Sequence, residues 1–322
     1  VQANLPRVTV LIAARPGQQE VKAVAAARKL DYPPELLDII VARGRQPSVQ
    51  RNTGLRAARG EIIYFLDDDS IPAPGNLRLA IAHFQSAKVQ MVGGPNTCPV
   101  EAPWIEQVFA QVLSCWLAFG PSRARYAPVG SVRPATEKEL ILCNLAARRT
   151  SISELGGFNE ALYPNEENAL MDELQKRGGV LIYDPQFLVH RRPRPNLRSF
   201  ARMLMTYGRG RAEQFRLHPT PGSLLNFVPP LFCAYLVSLL LIPWLGGLLL
   251  APLGLYALAV LAQTVALIPA GSAAYSLGVL PLIVLTHVLY GVGFWRGLFT
   301  PLKAPAKSEV PVELEHPPLR AA

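Results

Sequence analysis

Between Leu217 and Trp295 the sequence contains no Asp, Glu, Lys or Arg, whereas a soluble domain carries about 25% charged residues. Water is therefore not the solvent expected for that stretch. Cysteine is also sparse. Cys98, Cys115, Cys143 and Cys233 form no C-x-x-C pair, so neither a zinc site nor a disulfide framework is indicated, and a reducing compartment fits best. The first residues lack a charged n-region with an apolar h-region behind it, and no export of the N-terminal domain is expected. Aromatic residues do not interleave with the basic ones. Despite a formal net charge of +9, the stacking platforms of nucleic-acid modules are missing, and no nucleic-acid partner is expected.

The positive charge concentrates elsewhere. Arg191, Arg192, Arg194, Arg198, Arg202, Arg209, Arg211 and Arg216 precede the uncharged stretch, which reads as a cytoplasmic surface facing anionic lipid. The stretch itself divides into segments 226–245, 248–268 and 276–296, each near the ~20 residues that span the hydrocarbon. About three membrane segments are predicted for 217–300. Basic residues flank both ends (Arg216 before, Arg296 and Lys303 after), favouring an even number of crossings or a re-entrant pair. Pro229, Pro230, Pro243 and Pro252 suit the re-entrant form. Apart from Arg296 at its very end, the only acidic, basic or imidazole side chain in the segments is His287, which argues against a transporter. The expectation is a multi-pass protein of a bacterial-type inner (plasma) membrane, its N-terminal domain cytoplasmic. The Pro-rich tail, 301–322, is expected to be disordered.

Residues 1–216 read differently. Val8–Ala14 (VTVLIAA), Leu37–Ala42 (LDIIVA) and Glu61–Leu66 (EIIYFL) are short apolar runs with strand character, separated by helical stretches at 18–30 and from Ser48 to Gly60. The alternation predicts an α/β fold with a parallel, doubly wound sheet. Further on, a helix from Glu166 to Arg177 ends at Gly178-Gly179, and Val180–Tyr183 is a strand. Trp104–Phe119 is predicted as one amphipathic helix, with Glu106, Gln107, Gln111 and Ser114 on one stripe; it either packs on the protein or lies against a bilayer or lipid acceptor. The basic segment 197–215 is expected to be a second interfacial helix.

In open α/β sheets ligands bind beyond the carboxyl ends of the strands. The third strand runs into Asp67-Asp68-Asp69. Two carboxylates one residue apart at the end of a buried strand repel each other and lose hydration, so they call for a cation. Hard Mg²⁺ or Mn²⁺ takes one or two carboxylates and completes its shell with phosphates and water. Asp69 is the expected metal ligand, with Asp67 shared between the metal and a nucleotide ribose. A solvated acidic turn before Pro72 is the plainer alternative.

Taken together, VTVLIAAR, PSVQRNTGLRAARGEIIYFLDDDSIPAPGNL, GGFNEALYPNEENALMDELQKRGGVLIYDP and YGRGRAEQ resemble the inverting family 2 glycosyltransferases of the GT-A fold, over about residues 7–216. The hydrophobic part, including HVLYGVGFWRGL, resembles the membrane-bound exopolysaccharide (succinoglycan) type. The resemblance implies a Rossmann-like, mostly parallel sheet with transmembrane helices after it. It makes Asp67 and Asp69 the D-x-D pair for sugar nucleotide and metal, with Asp68 between them. Arg51 and Asn52 would line the nucleotide pocket, and Ala13 and Arg15 would lie where the nucleobase sits. Arg209 and Arg211 would offer cations to the diphosphate. Glu167 takes the place of the catalytic base, one methylene longer than the usual Asp, and Glu166 would orient it or the acceptor.

Departures from the family pattern are also legible. The second strand ends Ala42-Arg43-Gly44 where acids are usual, Ala169 replaces an acid after the base, and Met203, Thr206 and Tyr207 stand where relatives carry Q-x-x-R-W. His190 is either a surface histidine or a further metal ligand. The implied activity is transfer of a sugar from a nucleotide-diphosphate donor to a lipid-linked or glycolipid acceptor. A polyprenyl-phosphate glycosyltransferase and a non-catalytic sugar-nucleotide-binding scaffold are the rival expectations.

Overall fold

A computed structural model describes residues 5–162, 165–217, 219, 221–241, 247–270, 273–302 and 311–319. The chain divides into two compact units. The first comprises 1–99, 124–191 and 304–322, and the second 100–123 and 192–303.

The first unit is built on strands β1 (Val8–Ala14), β2 (Leu37–Arg43) and β3 (Ile62–Asp67). They are parallel, with β1 in the middle, and Ala13 is level with both Ala42 and Asp67. Their near-continuous apolar runs come from burial on both faces. Val10, Ile12, Ile39, Val41, Tyr64 and Leu66 point into one core, and Leu11, Ile40, Ile63 and Phe65 into the other. After the short β4 (Ile71–Pro72) come β5 (Val89–Gly93), β6 (Asn96–Thr97), β7 (Arg133–Pro134), β8 (Asn144–Arg148), β9 (Val180–Tyr183), β10 (Val189–His190) and β11 (Glu313–Glu315). The main sheet has the order β11-β2-β1-β3-β8-β5-β9-β7, and β4, β10 and β6 form a small one.

The sheet is mixed, which corrects the mostly parallel expectation. β8 inserts antiparallel between β3 and β5, β7 is antiparallel to β9, and β11 to β2. The five-residue β8 carries two alanines and an arginine, so its run NLAAR gives little strand signal. A buried polar network holds it in place. Tyr64 donates to Asn144 Oδ1 at 2.8 Å, Asn76 Nδ2 donates to the Tyr64 hydroxyl at 2.9 Å, and Asn144 Nδ2 donates to the Phe187 carbonyl at 2.6 Å. Left unpaired at such depth, each group would cost ~1–3 kcal/mol.

The tail also departs from expectation. Residues 311–319 are ordered, because β11 covers the open edge of β2, with Leu314 level with Ala42 and Glu315 with Val41. Val312 and Leu314 reach one core, Leu319 the other.

The second unit is helical. Leu197–Leu217, Val228–Leu241, Leu250–Ala266 and Ala273–Phe299 are its longest helices. Among the described residues only one, Tyr275–Phe299, is long and apolar enough to cross a membrane. At 1.5 Å per residue the 14- and 17-residue helices reach roughly 21 and 26 Å, short of the ~30 Å hydrocarbon thickness. The multi-pass expectation of three spans is therefore reduced to one candidate span and two shorter apolar helices; residues 242–245 of the first predicted segment lie outside the described ones. His287 is satisfied inside the unit by the Tyr256 hydroxyl at 2.8 Å and the Leu117 carbonyl at 2.9 Å.

The predicted amphipathic helix is broken. It runs Trp104–Ser114 and Trp116–Phe119, with Cys115 extended between them. Its orientation also differs from the predicted stripe. Glu106 is buried, because Arg192 engages it with both Nε, at 2.7 Å, and Nη2. Phe109 stacks on Phe200 at 4.2 Å, and Val108 lies against Gly278. This face packs on protein, while Trp104 and Trp116 stay 50% and 56% exposed.

Candidate active site

Five charged side chains of the first unit, Arg51, Asp67, Asp69, Glu166 and Arg191, gather beyond the carboxyl end of β3. Asp67 is its last residue, and the Asp67 carbonyl accepts from the Ser70 N–H in the next turn. Arg51 comes from the helix Pro47–Ala57, whose start at Pro47 places proline where a missing N–H costs nothing. From there Arg51 Nη2 donates to Asp67 Oδ1 at 3.1 Å and Nη1 to Glu166 Oε1 at 2.9 Å. Glu166 opens the helix Glu166–Lys176. One guanidinium thus joins the D-x-D acid to the Glu-Glu motif far downstream.

The cation at the acidic run is one that sequence reading misassigned. Arg191, grouped by sequence with the lipid-facing arginines, donates from Nε to Asp69 Oδ1 at 2.5 Å and from Nη1 to Asp67 Oδ2 at 3.1 Å. Burial works against its charge, but Asp67, the Cys143 thiol and Asp69 outweigh that and hold Arg191 well above the ordinary guanidinium value. Burial likewise pushes the Cys143 thiol up to about 12. Other members of the basic run are also spent on protein. Arg192 pairs with Glu106, Arg209 with Glu213 at 3.3 Å, and Arg216 caps the carbonyls of Gly297 and Thr300. No local signal separates Arg191 from that run, because its partner Asp69 lies 122 residues away.

The acids therefore have cationic partners before any metal is considered. Their chemistry still fits one: two hard carboxylates flank one guanidinium, and Asp69 is 43% exposed on its side chain. Among the described residues no three His, Cys, Asp or Glu side chains gather as a metal cluster. A site that takes two carboxylates from the protein and the rest from phosphate and water is the Mg²⁺ or Mn²⁺ pattern. His190 is turned to Thr97 Oγ1, 2.9 Å from its Nδ1.

Glu166 is a strongly perturbed carboxyl. Its side chain is 3% exposed, and Oε2 has no hydrogen-bond partner. Burial raises its pKa to about 8, Glu167 adds to the rise, and Arg51 opposes it. Perturbation of this kind, in a charged cluster beside a sheet's carboxyl edge, marks functional sites more often than structural ones. Just before it, Asn165 adopts φ 95°, the sole positive φ of a non-glycine among the described residues, a strained conformation that also tends to cluster at such sites. Glu167 is half-buried on the same helical turn.

The remaining predicted residues fall in several places. Ala13 is the half-buried member of β1, beside Asp67 in register. Arg15 is exposed in the turn after β1. Asp68 is half-buried, and its carbonyl accepts from the Ala23 N–H at 3.1 Å. Asn52 is buried and stitches the Gly156-Gly157-Phe158 turn: Oδ1 accepts from the Phe158 N–H at 2.8 Å, and Nδ2 donates to the Phe158 carbonyl and Glu160. Gly157 has φ 86°, and a Cβ there would come within 2.5 Å of Asn52 Oδ1. Arg209 and Arg211 belong to the second unit, where Arg211 donates to Gln214 at 3.1 Å. Gln50, not singled out from sequence, ties the ends of β1 and β2 by donating to the Ala14 and Ala42 carbonyls, each at 2.7 Å.

Residues 19–108 match the family model described as Glycosyl transferase family 2. That segment carries Arg51, Asn52 and the three aspartates. The Pre-mycofactocin glycosyltransferase of Mycobacterium tuberculosis is 29% identical over 175 residues, 54% of this chain and 36% of that protein, in strains CDC 1551 / Oshkosh and H37Rv alike. The chain thus spans little more than a third of the length of the curated relatives it matches. Among solved structures, the mannosyltransferase PcManGT from Pyrobaculum calidifontis, in complex with GDP-Man and Mn²⁺, superposes with a TM-score of 0.53 at 19% identity, covering 91% of this chain and 87% of that one. The fold is the mixed α/β, Rossmann-like GT-A fold, with a helical region after it.

Proposed function

We propose that this chain is an inverting glycosyltransferase that takes a sugar from a nucleotide-diphosphate donor and passes it to a lipid-linked or glycolipid acceptor. The observation that carries the reading is the Arg51 bridge from Asp67 to Glu166 within a cluster that begins in the family 2 segment. It joins a diphosphate-and-metal end to an acid–base end, the two parts such a transfer needs.

In this reading Asp67 and Asp69 hold Mg²⁺ or Mn²⁺, which neutralises the diphosphate as it leaves. Asp67 also faces the ribose, and Ala13 and Arg15 border the nucleobase. Glu167 accepts the proton of the attacking hydroxyl, and buried Glu166, fixed by Arg51, orients it. That a relative acts on pre-mycofactocin and a structural neighbour binds GDP-Man and Mn²⁺ supports the reaction class.

The acceptor is argued from the second unit. Leu231, Leu240, Leu255, Leu258, Leu261 and Leu277 are exposed on its helices, the kind of apolar surface that marks membrane or partner contact when contiguous. We propose that this unit seats the enzyme in a membrane by one span and two shorter helices, as in exopolysaccharide assembly. The test is a thermal-shift screen of the detergent-solubilised protein against UDP-, GDP- and dTDP-sugars with Mn²⁺, and then transfer to lipid extract. A donor that stabilises the protein and is consumed supports the proposal; no stabilisation and no turnover by any donor would overturn it.

A further inference from the structure

The second strand ends in Arg43, and what engages that arginine comes from the far end of the chain. Glu315 on β11 receives Arg43 Nε at Oε1, 2.5 Å, and Nη2 at Oε2, 3.1 Å. The third nitrogen, Nη1, donates to the Gln18 carbonyl at 2.7 Å and more weakly to the Arg15 carbonyl at 3.4 Å. Arg43 is thus a crosspiece between the C-terminal strand and the turn after β1.

That turn has little to hold it. Gly17 adopts φ 71°, and the turn's own ties, Gln18 N–H to the Arg15 carbonyl and Arg15 N–H to Gln18 Oε1, are both 3.4 Å. A strand serving only to cover the β2 edge needs backbone pairing and apolar contacts, which Val312 and Leu314 already supply. The two-pronged carboxylate adds directed geometry beyond that need.

We propose that Glu315 is a positioning residue for nucleotide binding: through Arg43 it fixes the Arg15–Gln18 turn, against which the nucleoside half of the donor lies. This rests on the donor-site reading above and extends it to residues of the C-terminal strand.

Isothermal titration of UDP, GDP and dTDP with Mn²⁺ into the full chain tests the idea, comparing wild type, Glu315→Gln, Arg43→Gln and the double variant. We expect each single variant to bind its preferred nucleotide about tenfold more weakly, from the loss of charge-assisted hydrogen bonds, and the double variant to be no weaker than Arg43→Gln. In turnover, the donor KM rises while kcat holds. A lowered Tm with unchanged nucleotide affinity and KM would overturn the proposal, leaving β11 as an edge cover. Wild-type protein that binds none of the three nucleotides would sink the donor reading itself, whereas wild-type binding matched by Glu315→Gln would sink this inference alone.

Discussion

Replacing Arg191 by Ala separates the protein's own cation from a metal. In the structure its guanidinium holds Asp69 at 2.5 Å and Asp67 at 3.1 Å, so a divalent ion binding those carboxylates displaces or shares it. Charge-assisted hydrogen bonds contribute ~1.5–3 kcal/mol in buried settings. Asp69 is 43% exposed on its side chain and Arg191 23%, so solvent screening brings the effective competition to ~1–2 kcal/mol. Arg51 still partners Asp67 in the variant. Arg191→Ala should therefore bind Mn²⁺ about tenfold more tightly in the absence of nucleotide, measured by titration calorimetry or by the electron paramagnetic resonance of free Mn²⁺. Its Tm in EDTA should fall, and saturating Mn²⁺ should restore it. Equal or weaker Mn²⁺ binding by the variant would refute the idea that arginine and metal use the same oxygens.

Three other outcomes are expected of the site. Asp69→Ala should lose metal-dependent transfer by at least about a hundredfold, and unchanged turnover in a donor-consumption assay would remove Asp69 from the metal site. Glu167→Gln should keep donor affinity but lose the chemical step in single-turnover experiments; a fully active variant would point to a phosphate acceptor that needs no base, as in polyprenyl-phosphate transfer. Glu166 has a raised folded-state pKa, so its protonated form favours folding: that stability is full below the ordinary carboxylate value and is lost as pH rises through about 8. Urea melts of Glu166→Gln should show a flatter decline than wild type between about pH 5.5 and 8.5, by at least ~1.4 kcal/mol, and identical slopes would refute the assignment.

The parts of the fold that were legible in sequence are those whose signal is local. VTVLIAA marks β1 as Val8–Ala14, and LDIIVA and EIIYFL place β2 and β3 to within a residue at their ends, because burial on both faces writes an unbroken apolar run. Glu166–Lys176 and Val180–Tyr183 were equally readable. β8 and β11 were not, since a short strand held by side-chain partners far along the chain has no pattern of its own. The same difference applies to the site. Asp67 and Asp69 announce themselves as adjacent charges. Arg191 and Gln50 act through partners distant in sequence, Asp69 for the one and the Ala14 carbonyl for the other, and among many arginines Arg191 looked like part of a basic surface run.

The position of β11 has a consequence for how the protein is made. As the chain leaves the ribosome, β1–β3 can assemble early, yet the outer edge of β2 has no partner until residue 315 has emerged, 272 residues after Arg43. During that interval the nascent domain exposes unpaired backbone groups beside an apolar core, a state prone to edge-to-edge association. Synthesis that stalls in the helical region would leave β2 open, with Arg43 lacking its carboxylate. A strand made 272 residues later thus completes the edge that β2 leaves open.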